Sequence, residues 1–155
     1  IMSISLAVGA RVPAYPTSMG RVLLSGLNEP ALDSYFADVV LEPLTEHTIV
    51  DPAQLRRVID QVRERGWAMI DQEVEVGVRS VAAPIRDSSG RVVAATNISS
   101  HASRVNLKEM RTVYLPVLLA AAAKISGMMG APAPHSGAET LNSKRNGPPR
   151  LDSRG

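Results

Sequence analysis

Residues 78–99, VRSVAAPIRDSSGRVVAATNIS, decide the fold of this chain. Two runs rich in valine, isoleucine and small residues, Val78 to Arg86 and Arg91 to Ser99, are typical of β-strands. Between them, Asp87 to Gly90 has the composition of a tight turn. Strands joined by so short a turn must be antiparallel, so this stretch predicts a β-hairpin.

The residues just before the hairpin predict a third strand and a helix. The strand is Trp67 to Glu73. The helix begins at Pro52, after the capping residue Asp51, and ends at Gly66. Four aliphatic residues at the spacing i, i+3, i+4 and i+7 mark its buried face: Leu55, Val58, Ile59 and Val62.

Two shorter helices are predicted nearer the N-terminus. The first covers Met19 to Leu24, with Thr17 or Ser18 as its capping residue. The second covers Glu29 to Ala37 and is capped by Asn28. Both follow from a side-chain oxygen placed directly before an apolar run.

The remaining elements complete an α+β domain. Residues 3–8 read as a first strand, residues 40–50 as a loop, and a long helix begins after Asn106, with a kink expected at Pro116. One mainly antiparallel sheet with helices packed on it is the architecture that this order predicts. The buried stripe expected on the long helix is Met110, Val113, Val117, Ala121 and Ile125.

The composition fits one domain of ordinary size. The chain has 155 residues, of which 45% are hydrophobic but only 3% aromatic, so the core must be aliphatic. It has no cysteine, which excludes disulfides and thiolate metal sites. No run approaches the roughly 18 apolar residues of a membrane-spanning helix, and no signal peptide is visible. We therefore expect a cytoplasmic protein with no membrane partner.

The basic character of the chain lies in its C-terminal end. The whole chain has 17 basic and 15 acidic residues, and four of the basic but only two of the acidic ones lie in residues 131–155. Residues 1–130 therefore hold 13 of each, with no surplus to neutralise nucleic-acid phosphates. We expect one domain over 1–130 and a flexible, Pro- and Gly-rich basic tail over 131–155. Because the sequence opens inside the strand-like run 3–8, a further segment is expected before it.

Catalysis is not indicated, and neither a cofactor nor a metal ion is predicted. The three histidines, His47, His101 and His135, are scattered, and no nucleophile, phosphate-loop or zinc motif is present. Glu73 and Glu75 share a strand face by spacing, but a solvated strand edge is the favoured interpretation over an acid–base pair.

Polar side chains interrupt the apolar pattern of the hairpin. Ser80 on one strand, and Asn97 and Ser99 on the other, fall among small residues and would share one face. Space beside hydrogen-bonding groups is typical of a small-ligand pocket. An ordinary solvent-exposed face explains the pattern equally well.

The N-terminus of the first helix is a second candidate binding feature. Ser18 and Met19 follow the extended segment Val12 to Pro16 and the possible capping residue Thr17. The first amides of a helix lack intrahelical acceptors and attract anions, so this end suits a carboxylate or a phosphate. Simple capping by Thr17 or Ser18 is the alternative.

Taken in order, several of these stretches resemble the effector-binding domain of IclR-type bacterial transcription regulators. The resemblance covers about residues 3–130. Within the family, these stretches are most similar to the subgroup that governs aromatic-acid breakdown through protocatechuate and β-ketoadipate. The stretches that carry it are Val12-Pro13, TSMGR (17–21), the helix from Leu55 that ends in RERGW (63–67), EVGVRSVAAPI (75–85), DSSG (87–90) and ATNIS (95–99).

The resemblance implies a GAF-like fold, a curved antiparallel sheet with helices on both faces and a pocket on one. It also implies an N-terminal winged helix-turn-helix, absent from this chain, that binds DNA, and assembly into homodimers or homotetramers. By position, the contacts to a small organic acid would be Val12, Ser18, Met19, Asp71 or its neighbour Ile70, Ser80, Asn97 and Ser99. Arg79 would face the other way and be structural. Members of the family often have a cysteine near Ser80 and a serine at Asn97, so the ligand stays open.

The favoured hypothesis is a sensor domain, not an enzyme, that binds a small aromatic or dicarboxylic acid and controls DNA binding by the missing domain. One alternative is a GAF-like module of another signalling protein. The other is an enzyme that uses Glu73, Glu75 or His101.

Overall fold

A computed structural model describes residues 9–132 of the chain. The predicted strand at residues 3–8, His135 and all but the first two residues of the predicted tail lie outside the described residues.

Three antiparallel strands form the sheet, in the order β1 (Ala68–Asp71), β2 (Val78–Arg86) and β3 (Val92–His101). The predicted hairpin is confirmed. Its turn is held by Asp87, whose carboxylate accepts hydrogen bonds from the hydroxyl and amide of Ser89 and from Arg91. These bonds, led by the Ser89 hydroxyl, lower the pKa of the Asp87 carboxyl to about 2.

The outer strands differ from their predicted lengths. β1 ends before Gln72 because that residue has a φ of 60°, a left-handed conformation that cannot continue a strand. β3 runs two residues further than predicted, because His101 pairs with Val78 at the start of β2.

Three helices lie on one side of the sheet: α1 (Ser18–Ser25) and α3 (Pro52–Arg65), which contact it, and α2 (Glu29–Asp38), which packs against these two helices. All three capping predictions are confirmed, because Thr17, Asn28 and Asp51 each accept a backbone N–H of the first turn. α3 ends at Gly66, which has a φ of 80°.

The core on this face has two parts. Between the helices and the sheet lie Val22, Val62, Ala68 and Ala82. Among the three helices and the segment that leads into α1 lie Tyr15, Leu24, Leu32, Leu55 and Ile59. Small residues on the sheet let α1 approach it closely, which decides the geometry of the site below.

The opposite face is covered by the long C-terminal helix. This helix consists of α4 (Leu107–Glu109), a π-helical turn (Met110–Tyr114) and α5 (Leu115–Met128). Val81, Ala83 and Ile85 of β2 pack against it, so both faces of the sheet are covered by helices, as predicted.

The predicted buried stripe of the long helix is wrong after its first residue. Met110 is buried, but Val113, Val117 and Ile125 are exposed and Ala121 faces solvent as well. The buried stripe after Met110 lies one residue later than predicted, at Leu118, Ala122 and Ser126, with Tyr114 half-buried; Leu115 is buried as well.

The π-helical turn explains this shift. The amide of Leu115 bonds to the carbonyl of Met110, five residues back instead of four. The turn therefore holds one extra residue, and everything after it is rotated by about 100° relative to a continuous α-helix. The turn lies directly before Pro116, where the sequence predicts a disturbance of the helix.

Gly20 is where α1 meets the segment before it. A Cβ on Gly20 would overlap the carbonyl oxygen of Ala14, whereas a Cβ on Gly127 in α5 would meet nothing within 4 Å. We expect Gly20→Ala to lower the free energy of unfolding by at least about 2 kcal/mol through backbone displacement. Gly127→Ala should raise it by about 0.5–1 kcal/mol through helix propensity. Urea unfolding of both variants measures this; equal effects would mean that α1 does not approach Ala14 closely.

Candidate functional site

The side chains of Ser18 and Ser80 meet where α1 crosses β2. Their hydroxyl oxygens are 2.7 Å apart and hydrogen-bonded, and the two residues are only 2% and 4% exposed. Two residues that lie 62 positions apart in sequence are thus joined at the first turn of a helix. The structure brings these two predicted site residues into direct contact.

The N-terminus of α1, where this contact lies, has free backbone donors. Thr17 accepts the amide of Gly20 at 3.0 Å and donates its own hydroxyl hydrogen to the carbonyl of Ala14 at 3.2 Å. Within residues 9–132, the amides of Ser18 and Met19 have no acceptor. Such amides carry partial positive charge and bind anions.

β3 adds a polar strip beside the two serines. Ser99 is the register partner of Ser80, and Asn97 donates from Nδ2 to Ser99 Oγ at 2.8 Å. Because alternate residues of a strand share a face, Asn97 and Ser99 lie on the same side of the sheet as Ser80. Ser99 is exposed and Asn97 is half-buried, so this part of the site is open.

Two other predicted residues, Met19 and Val12, differ in exposure. Met19 is half-buried and packs against the cluster of Val22, Val62, Ala68 and Ala82. Val12 precedes α1 and is 48% exposed.

Asp71 does not belong to this face. It pairs in register with Arg79, and its Oδ1 accepts from Arg79 Nε at 2.8 Å and Nη2 at 2.7 Å. Arg79 also donates to the carbonyl of Val105 at 2.6 Å, so both side chains serve the opposite side of the sheet. Of the two neighbours that the sequence analysis named, Ile70 is the one that shares the face of Ser80: it is buried and lies opposite Ser80 in the register. The interpretation of Arg79 as structural fits these contacts.

A buried ion pair between Arg21 and Glu73 was not predicted from the sequence. Arg21 is 2% exposed, and its Nη1 donates to Glu73 Oε1 at 2.7 Å while Nη2 bonds to Oε2. Its Nε donates to the carbonyl of Tyr15 at 2.8 Å, and Thr48 donates its hydroxyl hydrogen to the carbonyl of Glu73 at 2.7 Å. This fork fixes α1 against the loop after β1 and so positions Ser18.

The pair removes Glu73 from consideration as an acid or base. Its carboxylate is bound by a guanidinium and 7% exposed, so the expectation of a solvated strand edge is wrong for Glu73, while Glu75 is exposed and lies between strands. One signal in the sequence was available: Arg21 lies three residues after Ser18, so the two share a face of α1.

A cavity of about 270 Å³ lies elsewhere, between β2 and the C-terminal end of α5. Its polar side chains are already bonded: Arg86 donates to the carbonyl of Gly90, and Ser126 donates to the carbonyl of Ala122. Apolar residues form most of the remaining wall, so the cavity is distinct from the Ser18–Ser80 contact.

Residues 9–132 contain neither a cluster of metal ligands nor a membrane-spanning helix. No group of three or more His, Asp or Glu side chains there could hold a metal ion. No helix in the same range is both long and apolar enough to cross a membrane.

Comparisons of the sequence with known proteins match one family of proteins. The family described as "Bacterial transcriptional regulator IclR C-terminal" matches residues 1–127. The Pca regulon regulatory protein of Pseudomonas putida is 47% identical over 78% of this chain and 42% of its own length. The p-hydroxybenzoate hydroxylase transcriptional activator of Acinetobacter baylyi is 32% identical over 72% of this chain and 41% of its own. The chain thus spans less than half the length of these curated relatives.

Solved structures agree with the sequence matches. A transcriptional regulator from Rhodococcus superposes with a TM-score of 0.81 at 44% identity, covering 84% of this chain and 52% of that one. The inducer-binding domain of PobR from Acinetobacter, a double mutant in complex with 3-hydroxybenzoic acid, superposes with a TM-score of 0.77 at 30% identity, covering 83% and 73%.

The contribution of the Arg21–Glu73 pair to stability can be measured with a variant of Glu73 and a control variant of Glu75. Glu73→Gln leaves Arg21 as an uncompensated buried charge, so we expect the free energy of unfolding to fall by about 3–5 kcal/mol. Glu75→Gln, at an exposed position, should change it by less than about 0.5 kcal/mol. Urea unfolding followed by circular dichroism gives both values, and a Glu73→Gln variant as stable as the parent would show that Arg21 is not held by this carboxylate.

Proposed function

The chain belongs to the C-terminal domain family of IclR-type bacterial transcriptional regulators, and from that we propose that its effector is a small aromatic acid bound where Ser18 meets Ser80. It is an effector-binding domain and not an enzyme, since the relatives that it matches are named as regulators. Relatives from regulons of aromatic acids are among them, in agreement with the subgroup that the sequence resembles.

The observation that carries the proposal is the pair of buried hydroxyls at a helix N-terminus. Free amides of Ser18 and Met19, with the Ser80 hydroxyl, offer an acid three donors in one place. A carboxylate that accepts from them would exchange the Ser18–Ser80 bond for charge-assisted bonds, which are stronger. The acid would lie along β3 beside Asn97 and Ser99, against Ile70, with Met19 and Val12 at its rim.

The choice of an aromatic acid over a dicarboxylic acid rests on the relatives. PobR is solved with 3-hydroxybenzoic acid, and another relative is named as the activator of p-hydroxybenzoate hydroxylase. Both names refer to aromatic acids.

In the whole protein, we place a DNA-binding winged helix-turn-helix before residue 1. The length of the relatives beyond this match supports a further domain. Acid binding would then alter operator binding by favouring one of two conformations, which requires a different affinity for each. Such a regulator acts in the bacterial cytoplasm. A GAF-like module in another signalling protein is the alternative, and the upstream sequence decides between them.

We also propose that the domain, residues 1–130, self-associates through the outer face of α5, with residues 131–155 as a tail. The π-helical turn leaves Val117, Ala121, Lys124 and Met128 exposed on one face, with Val117 64% and Met128 81% accessible. Side-by-side apolar residues of this kind mark contact surfaces. Antiparallel pairing with a second copy, centred near Ala121, keeps the two Lys124 charges apart.

Ligand binding is tested by thermal unfolding of the chain with 3-hydroxybenzoate, 4-hydroxybenzoate and protocatechuate. At a hundredfold excess over Kd, an acid stabilises the folded state by about 2.7 kcal/mol, which raises Tm by several degrees. No shift with any of these acids would contradict the proposal.

Two neighbouring serines locate the site. Ser99→Leu puts a bulky side chain on the Ser80 face and should abolish the shift in Tm. Ser100→Leu, one residue on and facing the other side of the sheet, should retain it. Loss in both variants, or in neither, would place the site elsewhere.

Self-association is tested by substituting two exposed valines. Val117→Glu buries a charge in the proposed interface and should weaken dimerisation at least tenfold. Val40→Glu, on the loop between α2 and α3, should leave it unchanged. Sedimentation equilibrium measures both, and a parent chain that is monomeric at about 100 μM, well above common interface affinities, would contradict the proposal.

A further inference from the structure

Two arginines meet beside Trp67, the only tryptophan of the chain. The guanidinium carbon of Arg65 lies over the indole ring, 4.0 Å from its centroid, and that of Arg111 lies 5.9 Å from the same centroid. Arg65 is the last residue of α3, Trp67 directly precedes β1, and Arg111 belongs to the π-helical turn. Three elements of the fold thus contribute to one group, which we call the Arg–Trp–Arg cluster.

The ring and the nearer arginine are held in place. Trp67 is half-buried and packs against the core between β2 and the long helix. Arg65 donates from Nε to the carbonyl of Trp67 at 2.7 Å while its guanidinium lies over the ring. This bond occupies Nε alone, and both Nη groups have no acceptor within residues 9–132. The cluster therefore presents donors whose position is fixed.

Neither positive charge has an acidic partner in the part of the chain that the structure describes. Arg111 is exposed and its side chain forms no hydrogen bond there. The carboxylates nearest in sequence, Glu64 and Glu109, form an ion pair with neither guanidinium. Burial lowers the pKa of the Arg65 guanidinium, and the charges of Arg111 and Arg21 lower it further. Two cations are thus held close together, and an anion between them would offset their repulsion.

An ordinary structural role explains only one of the two arginines. Arg65 is in the last turn of α3, where a positive charge interacts favourably with the helix dipole. Arg111 lies far from the C-terminal end of the long helix, so the dipole gives no reason for its charge. Its distance of 5.9 Å from the ring is at the outer limit of a cation–π contact. An anion bound by both arginines accounts for the whole arrangement.

The chemistry of the cluster favours a phosphate group over a single carboxylate. The planar guanidinium matches the geometry of phosphate oxygens and binds them through two parallel hydrogen bonds. Two guanidiniums supply two positive charges, which equal the charge of a phosphate dianion, whereas one carboxylate would neutralise only half of that charge.

We propose that Arg65 and Arg111 form a binding site for a phosphate dianion, held between the two guanidiniums beside the ring of Trp67. The site goes beyond the proposed function, because Trp67 packs on the face of the sheet opposite Ser80 and takes no part in binding the aromatic acid. A bound phosphate joins α3 to the π-helical turn, which sets the outer face of α5. Inorganic phosphate and the phosphomonoester of a small metabolite both carry the required group.

The single tryptophan reports directly on this site. Its emission is followed while the chain is titrated with inorganic phosphate, glycerol 2-phosphate or dimethyl phosphate at about pH 8, where the first two are mostly dianions. Sodium chloride keeps the ionic strength constant. We expect a saturable change with at least one dianion, and a Kd at least about tenfold higher for dimethyl phosphate, which carries one charge. The dianion with the lower Kd distinguishes the inorganic ion from the ester.

Two arginine variants with the same change of charge locate the site. Arg111→Gln removes one guanidinium and should raise the Kd for the tighter dianion about tenfold, the size of one charge-assisted hydrogen bond. Arg104→Gln is the matched control, since Arg104 follows the end of β3, roughly 13 Å along the sheet from Trp67. That distance exceeds the Debye length of about 10 Å at 0.1 M salt, so the Kd should change by less than about twofold.

Three results would overturn the inference. The first is an absence of both a change in emission and a heat of binding with either dianion. The second is a change that sodium chloride alone reproduces at equal ionic strength. The third is an Arg111→Gln variant that binds the dianion as tightly as the parent chain does. None of these results bears on the Ser18–Ser80 site, which is tested by the aromatic acids.

Discussion

The buried fork between Arg21 and Glu73 is the interaction on which the rest of the site depends. It joins α1, the carbonyl of Tyr15 and the loop after β1, and it leaves α1 with one position on the sheet. Only in that position does Ser18 reach Ser80. Replacing such a pair with apolar residues can be neutral for stability, so its value here is placement of the helix end and not strength alone.

Much of the fold could be predicted because its signals are local. Thr17, Asn28 and Asp51 each bond within their own helix turn, and Asp87 within its own hairpin, so short stretches contain the whole cause. The arrangement of the helices on the two faces of the sheet was predicted from the resemblance of several motifs, in order along the chain, to one family. The fork could not be predicted in the same way, because its partners are 52 residues apart and nothing near either reveals the other.

One choice that the sequence left open at the site and one error in the core have the same physical origin, which is the phase of a repeating pattern. In a strand the faces alternate, so Asp71 and Ile70 are indistinguishable until the register with Arg79 and Ser80 is known. In the long helix, a turn of one extra residue moved the buried stripe from Val117 to Leu118. A pattern of hydrophobic residues predicts the repeat length of a helix or strand well, but it predicts poorly which residues of the repeat face the core.

The π-helical turn behaves like a reading-frame insertion within the helix. One residue more or fewer before Leu115 rotates all of α5 about its axis. Residues that were buried then become exposed, and exposed ones become buried, although no residue of α5 has changed. A regulator built on this scaffold can acquire a new partner face by insertion or deletion alone. The Ser18–Ser80 contact lies on the other face of the sheet and includes no residue of α5.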